Sequence, residues 1–142
     1  MEAVRELFRE YAKSLGSAWV DTPACSASFE RELTDLPNQY SSLLLAVDSD
    51  LLAGCAGLRN LGDGTGEVKR LYIRPAFQGR GVGRLLIERI VTEAQALGCR
   101  RLVLDTLPVM ERALALYRAF GFREIPSYGD NPPEAICFEL SL

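Results

Sequence analysis

Histidine is absent from this chain of 142 residues. That absence excludes Ser-His-Asp and Cys-His catalysis in their usual forms, and it excludes zinc sites with histidine ligands. No apolar stretch approaches the roughly 18 residues of a membrane-spanning helix. The N-terminus carries acidic residues and no long apolar run, so it is not predicted to be a signal peptide. We therefore expect no membrane association.

Cysteine is sparse and scattered along the chain. The four cysteines, Cys25, Cys55, Cys99 and Cys137, form no C-x-x-C pair, so a zinc site made of four thiolates is not indicated. The last three have apolar neighbours and are predicted to be small core residues. No metal is expected, and without a disulfide scaffold a reducing cytoplasm is the predicted location.

An excess of positive charge is also missing. The formal net charge is −3, which argues against nucleic acid as the main partner, since nucleic-acid binding usually requires a basic face. With 48% hydrophobic and 25% charged residues, the chain has the composition of an ordinary soluble globular protein. Its length fits a single domain over residues 1–142.

The most informative stretch runs from Glu67 to Leu97. It contains an extended run, Glu67–Ile73, a short link, Arg74–Phe77, a glycine-rich segment, Gln78–Arg84, and a long amphipathic segment. This pattern predicts a strand, a tight turn and a helix.

Three glycines, at positions 79, 81 and 83, make the turn a candidate phosphate site. Glycine lets the main chain turn sharply and approach a ligand closely. A helix that begins there leaves its first N–H groups unpaired, and these donors suit a phosphate. Arg80 and Arg84 would add positive charge. The plain alternative is a tight turn that binds nothing.

Two nucleotide-binding motifs compete for the same residues. A P-loop would end in Gly-Lys-Ser/Thr, which is absent. A dinucleotide site would need G-x-G-x-x-G with an acidic residue about 20 positions on. Asp105 lies at roughly that distance, but the spacing here is G-x-G-x-G, and a link with Pro75 separates strand from turn. A nucleotide-binding domain remains the third hypothesis.

Two ordered patterns resemble signatures of the GNAT superfamily of N-acetyltransferases. Gln78-x-x-Gly81-x-Gly83, behind Leu71–Pro75, resembles the acyl-CoA-binding signature of that family. The segment Ala113-x-x-Leu116-Tyr117-x-x-x-Gly121-Phe122 looks like its second signature. The resemblance covers about the last hundred residues well and the first forty loosely.

The resemblance implies acetyl-CoA as cosubstrate and a primary amine as acceptor. It implies that main-chain groups of Leu71, Tyr72 and Ile73 pair with the pantetheine arm. The diphosphate would be held by Gln78, Gly79, Arg80, Gly81, Val82, Gly83 and Arg84. Met110 stands where many members have asparagine, which removes a polar contact. The acceptor would enter from the opposite side, over the first two helices and perhaps the Tyr128 loop, where Trp19, Phe29 or Tyr40 could touch it.

Two residues are candidates for the chemistry of acyl transfer. Glu67 is the candidate base, because alternation along the strand would place it on one face with Leu71 and Ile73. Resemblance to members with a glutamate there supports the role, through water. Tyr117 matches the tyrosine of the second signature and is the candidate acid for the thiolate. The plain alternatives are a solvated strand-end carboxylate and a packed aromatic ring.

The expected fold is GNAT-like α/β (α+β), with a mixed, mostly antiparallel sheet and helices on both faces. Family members usually open with a strand, and we expect the sheet either to lack that edge strand or to have its edge covered by another segment, because helical spacing begins at Val4 and runs to Gly16. An exposed edge favours pairing with a second copy, so a homodimer is plausible. The other predicted elements are a loop over Ser17–Ser26, a helix from Phe29 to Pro37, strands Ser42–Val47, Leu51–Leu58 and Arg101–Asp105, a helix Met110–Phe120, and a strand pair Phe122–Ile125 and Ala135–Leu140.

These observations favour a soluble N-acetyltransferase that acts by direct transfer. A non-catalytic acyl-CoA-binding module is the second hypothesis, since the missing strand and Met110 allow it. No cysteine lies in a recognisable nucleophile context, and a covalent acyl-enzyme is not required.

Overall fold

A single sheet with helices on both sides organises the computed structural model of this chain. The structure describes residues 1–15, 23–36, 38–129, 131 and 133–142, with the main chain alone for residues 23–27. In chain order its elements are α1 (Glu2–Ser14), α2 (Pro23–Asp35), β1 (Ser42–Asp48), β2 (Leu51–Gly62), β3 (Thr65–Ile73), α3 (Val82–Ala96), β4 (Arg101–Thr106), α4 (Glu111–Phe120), β5 (Arg123–Ile125) and β6 (Ile136–Ser141). A short 3-10 turn, Pro75–Phe77, lies between β3 and α3.

The strand order is β1-β2-β3-β4-β6-β5. Every neighbouring pair is antiparallel except β3 and β4, which α3 connects by a crossover. The predicted mixed, mostly antiparallel sheet is thus confirmed. Hairpins join β1 to β2 and β2 to β3, so the dinucleotide-binding alternative, which needs helical crossovers there, is wrong. No strand precedes α1 in the part of the chain that the structure describes, and β1 forms one edge.

Each face of the sheet carries its own core. On one face, α3 and α4 bury Leu86, Ile90 and Tyr117 against the strands. On the other, α1 and α2 bury Leu7, Phe8, Phe29 and Leu33. Cys55 and Ala56 are adjacent in β2 but belong to opposite cores, as the period of two along a strand requires. The prediction of helices on both faces is confirmed.

Most element boundaries agree with the predicted ones. Gly98 and Gly121 follow α3 and α4 with φ angles of 83° and 112°, the left-handed geometry that ends helices. The loop predicted up to Ser26 is wrong at its end, because α2 already begins at Pro23, whose fixed φ suits a first helical position. Gly16, Trp19 and Pro37 lie outside the described residues, as does the side chain of Cys25.

The three other cysteines are buried with free thiols, as predicted for core residues. None of the described helices has both the length and the apolar character needed to cross a lipid bilayer.

A bulge in β3 changes which face its residues occupy. Lys69 pairs with Gly57 and Tyr72 with Cys55, so two residues, Arg70 and Leu71, lie opposite one residue of β2. Arg70 adopts a left-handed φ of 57°. One extra residue reverses the alternation of side chains beyond it.

Glu67 consequently lies on the opposite face from Leu71 and Ile73. Its neighbour Val68 and, beyond the bulge, Leu71 both belong to the α3/α4 core, and Ile73 packs against that core. Glu67 therefore faces α1 and α2. The predicted shared face is wrong, because simple alternation does not account for the bulge.

Candidate active site

The sheet opens between β3 and β4. These strands pair only where Thr65–Glu67 runs beside Arg101–Val103. Beyond that point β3 has a described strand neighbour on its β2 side alone. Main-chain groups from Val68 to Ile73 that point toward β4 therefore have no strand partner, and a cavity lies on each side of the gap.

The first cavity, the glycine-loop groove, has a volume of about 600 Å³. Its walls are the end of β3, the glycine turn and the start of α4. Nine of the ten residues predicted to bind the cofactor line it: Leu71, Tyr72, Ile73, Gln78, Gly79, Gly81, Val82, Gly83 and Arg84.

Arg80 is the predicted residue that does not line this groove. Its Nη2 lies 3.2 Å from Oδ2 of Asp48, and its guanidinium sits 5.4 Å from the ring centroid of Phe77. The sequence placed Arg80 beside the diphosphate only because it lies between the glycines. In the structure its side chain leaves the turn toward β1.

The glycine turn presents its main-chain amides without partners. Gly79 and Gly81 have φ angles of 76° and 81°, a conformation that few residues with a Cβ adopt. A Cβ built at Gly81 would meet no atom within 4 Å, so the space beside it is open. The amides of residues 79–84 donate to no other group among the residues described. With the N-terminal dipole of α3, these donors have the chemistry that suits a phosphate or diphosphate.

Gly83 has a packing role. A Cβ at this position would lie 2.9 Å from Cδ2 of Leu116, closer than real contacts allow. Because Gly83 has no Cβ, α3 and α4 can approach each other and close the end of the glycine-loop groove.

Arg112 is a lining residue that sequence reasoning missed. It lies in the first turn of α4 and lines the glycine-loop groove together with Arg84. Its Nη1 approaches Gly79, at 4.0 Å from the position of a Cβ there. The sequence predicted the helix that carries Arg112, but nothing in it showed that this helix lies beside the glycine turn. The Arg112 guanidinium thus lies near the unpaired amides, whereas the Arg84 guanidinium lies 5.2 Å from the ring centroid of Phe120 and its Nε is 3.4 Å from Oε1 of Glu88.

The second cavity, the inter-strand cavity, has a volume of about 360 Å³. Tyr11 from α1, Phe29 from α2 and Asp105 from β4 line it. Tyr40 is not among its described lining residues. The two cavities share three lining residues, Leu71, Met110 and Ala113. They therefore meet at the bulge in β3.

Tyr117 lines the inter-strand cavity and is also a packed aromatic residue. It is 5% exposed, and its ring lies 5.6 Å from that of Phe122 and 6.0 Å from that of Phe138. Burial raises its pKa well above the ordinary value, with smaller contributions from Tyr11 and Asp105. Its hydroxyl makes no hydrogen bond within the described part of the chain. Tyr117 is therefore a protonated, available donor at neutral pH.

Glu67 is held by a residue from the loop between β5 and β6. The hydroxyl of Tyr128 donates to Oε2 of Glu67 at 2.8 Å. Burial raises the pKa of Tyr128, and the neighbouring Glu67 carboxylate raises it further. Glu67 is 7% exposed and is not among the described residues that line the inter-strand cavity. It lies on the α1 and α2 side of the sheet but does not line the cavity.

Two ion pairs form much of that wall. Glu32 accepts two hydrogen bonds of 2.9 Å from Arg70 and one of 3.1 Å from Arg59. Burial acts to raise the pKa of Glu32, but hydrogen bonding and charge from Arg70, together with Arg59, lower it overall. Nζ of Lys69 lies 3.5 Å from Oδ1 of Asp105. Sequence reasoning missed these pairs, since Glu32 and Arg70 are 38 positions apart.

A sequence model of the acetyltransferase (GNAT) family matches residues 1–122 of this chain. An IAA acetyltransferase of Azospirillum brasilense is 32% identical over 95% of this chain and 86% of its own length. Among solved structures, a GNAT-family acetyltransferase of Staphylococcus aureus gives a TM-score of 0.78 at 17% identity, over 99% of this chain and 94% of its own. A GNAT-family acetyltransferase of Elizabethkingia anophelis with acetyl-CoA bound gives a TM-score of 0.67 at 23% identity, over 87% of this chain and 88% of its own.

Proposed function

Because this chain belongs to the acetyltransferase (GNAT) family, we propose that it transfers an acetyl group from acetyl-CoA directly to a primary amine. The observation that carries the proposal is the row of unpaired amides at residues 79–84, which opens into a groove long enough to reach the gap in the sheet. A structural neighbour crystallised with acetyl-CoA supports the choice of cosubstrate.

The residues present fit acetyl-CoA. Open space beside Gly81, the unpaired amides and the guanidinium group of Arg112 suit a diphosphate. Arg84 lines the same groove, but its guanidinium pairs with Glu88. The open side of β3 from Leu71 to Ile73 can pair with an extended chain that carries amides, such as pantetheine. When bound, acetyl-CoA supplies an activated acyl group as a thioester.

The inter-strand cavity would hold the acceptor amine. A lysine-like ammonium has a pKa of about 10.4, so a base must remove its proton before attack. We assign this role to Glu67, acting through water, because its carboxylate is on the acceptor face and Tyr128 fixes its orientation. Asp105 lines the cavity directly and is the second candidate base.

Main-chain N–H groups on the open side of β3 would donate to the oxyanion that develops during attack, an interaction that is large in acyl transfer. Tyr117 would donate a hydrogen bond to the departing sulfur. A free thiol has a pKa of about 8.5, which is well below that of a tyrosine. Tyr117 therefore stabilises the thiolate chiefly by hydrogen bonding, because complete proton transfer from tyrosine to the thiolate is energetically unfavourable.

One observation favours a non-catalytic acyl-CoA-binding module as the second candidate. Both carboxylates on the described cavity wall, Glu32 and Asp105, are in ion pairs, and Met110 offers no hydrogen bond where the cavities meet. Such a module would bind acetyl-CoA without turnover.

A homodimer through the β1 edge and a cytoplasmic location stay predictions.

Release of CoA across a panel of amines tests the proposed function. We expect acetyl-CoA to be consumed only when an acceptor is present. We expect Tyr117→Phe to lower kcat about tenfold or more, because it removes a hydrogen bond to the departing thiolate, and such a bond to a charged group is worth about 1.5–3 kcal/mol. Acetyl-CoA binding, measured by calorimetry, should be unchanged in this variant. Tight acetyl-CoA binding without turnover on any amine would instead establish the binding module, and an unchanged rate would remove Tyr117 from the mechanism.

A further inference from the structure

The inter-strand cavity is positively charged although the chain is acidic. The protein has a formal net charge of −3. The described lining of the cavity carries four basic side chains and two acidic ones, a balance of +2, namely Arg31, Arg59, Lys69, Arg70, Glu32 and Asp105.

Pairing within the wall neutralises only part of this charge. Lys69 and Asp105 form a one-to-one pair. Arg70 directs both Nε and Nη2 at Glu32 and so occupies both oxygens of that carboxylate. Arg59 reaches the same carboxylate with Nη2 alone and is therefore a second cation on one anion.

Arg59 keeps unused hydrogen-bonding capacity. Its side chain is 27% exposed, and its Nε is buried without a hydrogen-bond partner in the described structure. Nη2 also donates to Oε1 of Gln39 at 3.1 Å, and the guanidinium lies 4.9 Å from the ring centroid of Tyr40. Nη1 donates to none of the described residues, so it is the group that could donate to a carboxylate or a phosphate in the cavity.

The two ends of the inter-strand cavity are lined by different groups. Its inner end is where Leu71, Met110 and Ala113 are shared with the glycine-loop groove, so the acyl group would arrive there. Arg59 and Arg31 line the inter-strand cavity but not the glycine-loop groove, and they lie on the side of α2 and β2. A volume of about 360 Å³ is in the range of sites for small molecules, roughly 300–1,000 Å³.

We propose that the acceptor is a small primary amine that also carries an anionic group, in the simplest case the carboxylate of an amino acid. Its amine lies at the inner end and its anion is bound by Arg59. This inference rests on the proposed function, since it names the substrate class of the same site.

Equilibrium binding to the CoA-loaded protein tests the inference with matched pairs that differ only in the anion. Phenylalanine with phenethylamine probes a carboxylate, and phosphoethanolamine with ethanolamine probes a phosphate. We expect the anionic member of one pair to bind at least tenfold more tightly, and Arg59→Gln to bring that ratio close to one. Arg59→Lys should retain part of the preference, because lysine keeps the positive charge but lacks the planar guanidinium group.

Arg123→Gln is the matched control. Arg123 is 74% exposed on β5 and pairs with Glu139, away from both cavities, so the preference should be unchanged. Melting curves check that each variant is folded, and Arg59→Gln should stay folded because Arg70 should still pair with Glu32.

Binding and CoA release together separate the two proposals. Equal binding of both members of each pair, or a preference that survives Arg59→Gln, overturns the anionic acceptor and leaves acetyl transfer untouched. A preference for peptide N-termini with no anion nearby also overturns it. An Arg59-dependent preference with no CoA release from any amine supports the anion site and overturns the proposed function.

Discussion

Tyr128 donates a hydrogen bond of 2.8 Å from its hydroxyl to Oε2 of Glu67, which lies 61 positions earlier in the chain. This bond joins the loop between β5 and β6 to the middle of the sheet, beside the point where β3 and β4 separate. The loop therefore helps to orient the candidate base. The other oxygen, Oε1, accepts no hydrogen bond from the residues that the structure describes, so in the proposed mechanism it would bind the water.

Replacing Glu67 by glutamine is expected to lower kcat about 10²–10⁴-fold, the usual contribution of a general base. Glutamine has almost the same volume and still accepts from Tyr128, so the fold should be unaffected. The matched variant is Asp105→Asn, which removes the carboxylate on the cavity wall and should have a smaller effect. CoA-release kinetics measure both, and the reverse order would assign the base to Asp105.

Gly81→Ala should weaken acetyl-CoA binding, because a methyl group with this backbone geometry strains the turn and narrows the phosphate site. Gly98→Ala provides a close control. The φ angles are 81° and 83°, and a Cβ meets no atom within 4 Å at either position. Both variants should lose about 1–2 kcal/mol of unfolding free energy from the left-handed conformation. Calorimetry with acetyl-CoA should show weaker binding in Gly81→Ala alone, and equal affinities would argue against a diphosphate at the turn.

Glu32→Gln should destabilise the protein by about 3–5 kcal/mol, because it leaves Arg70 as a buried cation without its counter-ion. The pKa of Glu32 is lowered in the folded state. Its contribution is therefore fully present above the unfolded value of about 4.3 and is lost as pH falls through the lower folded value.

Urea unfolding at several pH values measures this contribution. Below about pH 5, the free energy of unfolding of the variant should fall less steeply with decreasing pH than that of the wild type. Glu88→Gln, at an exposed pair with Arg84, should change stability by at most about 0.5 kcal/mol. A similar small change for Glu32→Gln would contradict a buried, energetically important pair.

Alkaline pH should destabilise the protein through its tyrosines. All five, Tyr11, Tyr40, Tyr72, Tyr117 and Tyr128, have pKa values raised in the folded state, with burial as the largest cause. Above the unfolded value of about 10, the unfolded chain therefore binds fewer protons than the folded one, and stability falls as pH rises.

Tyrosinate absorbance during a pH titration tests this expectation. The folded protein should show little ionisation at pH 10, followed by a cooperative increase as it unfolds. The chain in denaturant, where tyrosines ionise near pH 10, is the reference. Titration of most tyrosines near pH 10 in a protein that is still folded would contradict their burial.

Local signals in the sequence predicted much of the fold. The turn at Asp48–Asp50, the glycines after α3 and α4, and the strand-turn-helix order around Gly81 were all confirmed. Each of these signals depends on a few adjacent residues, because periodicity and left-handed glycines act over one or two turns of chain. The family resemblance, which rests on the same short segments, implied ten cofactor-binding residues, and nine of them line the glycine-loop groove.

The sequence by itself determined the order of the elements and the site of the unpaired amides. Only the tertiary structure decided which groups line the inter-strand cavity. The bulge at Arg70 moved Glu67 to the other face, and no local pattern encodes a shift of one residue in register. The pairs of Glu32 with Arg70 and of Glu67 with Tyr128 join residues 38 and 61 positions apart. Such contacts arise only after helices and strands have packed, since packing chooses which distant charges are buried together.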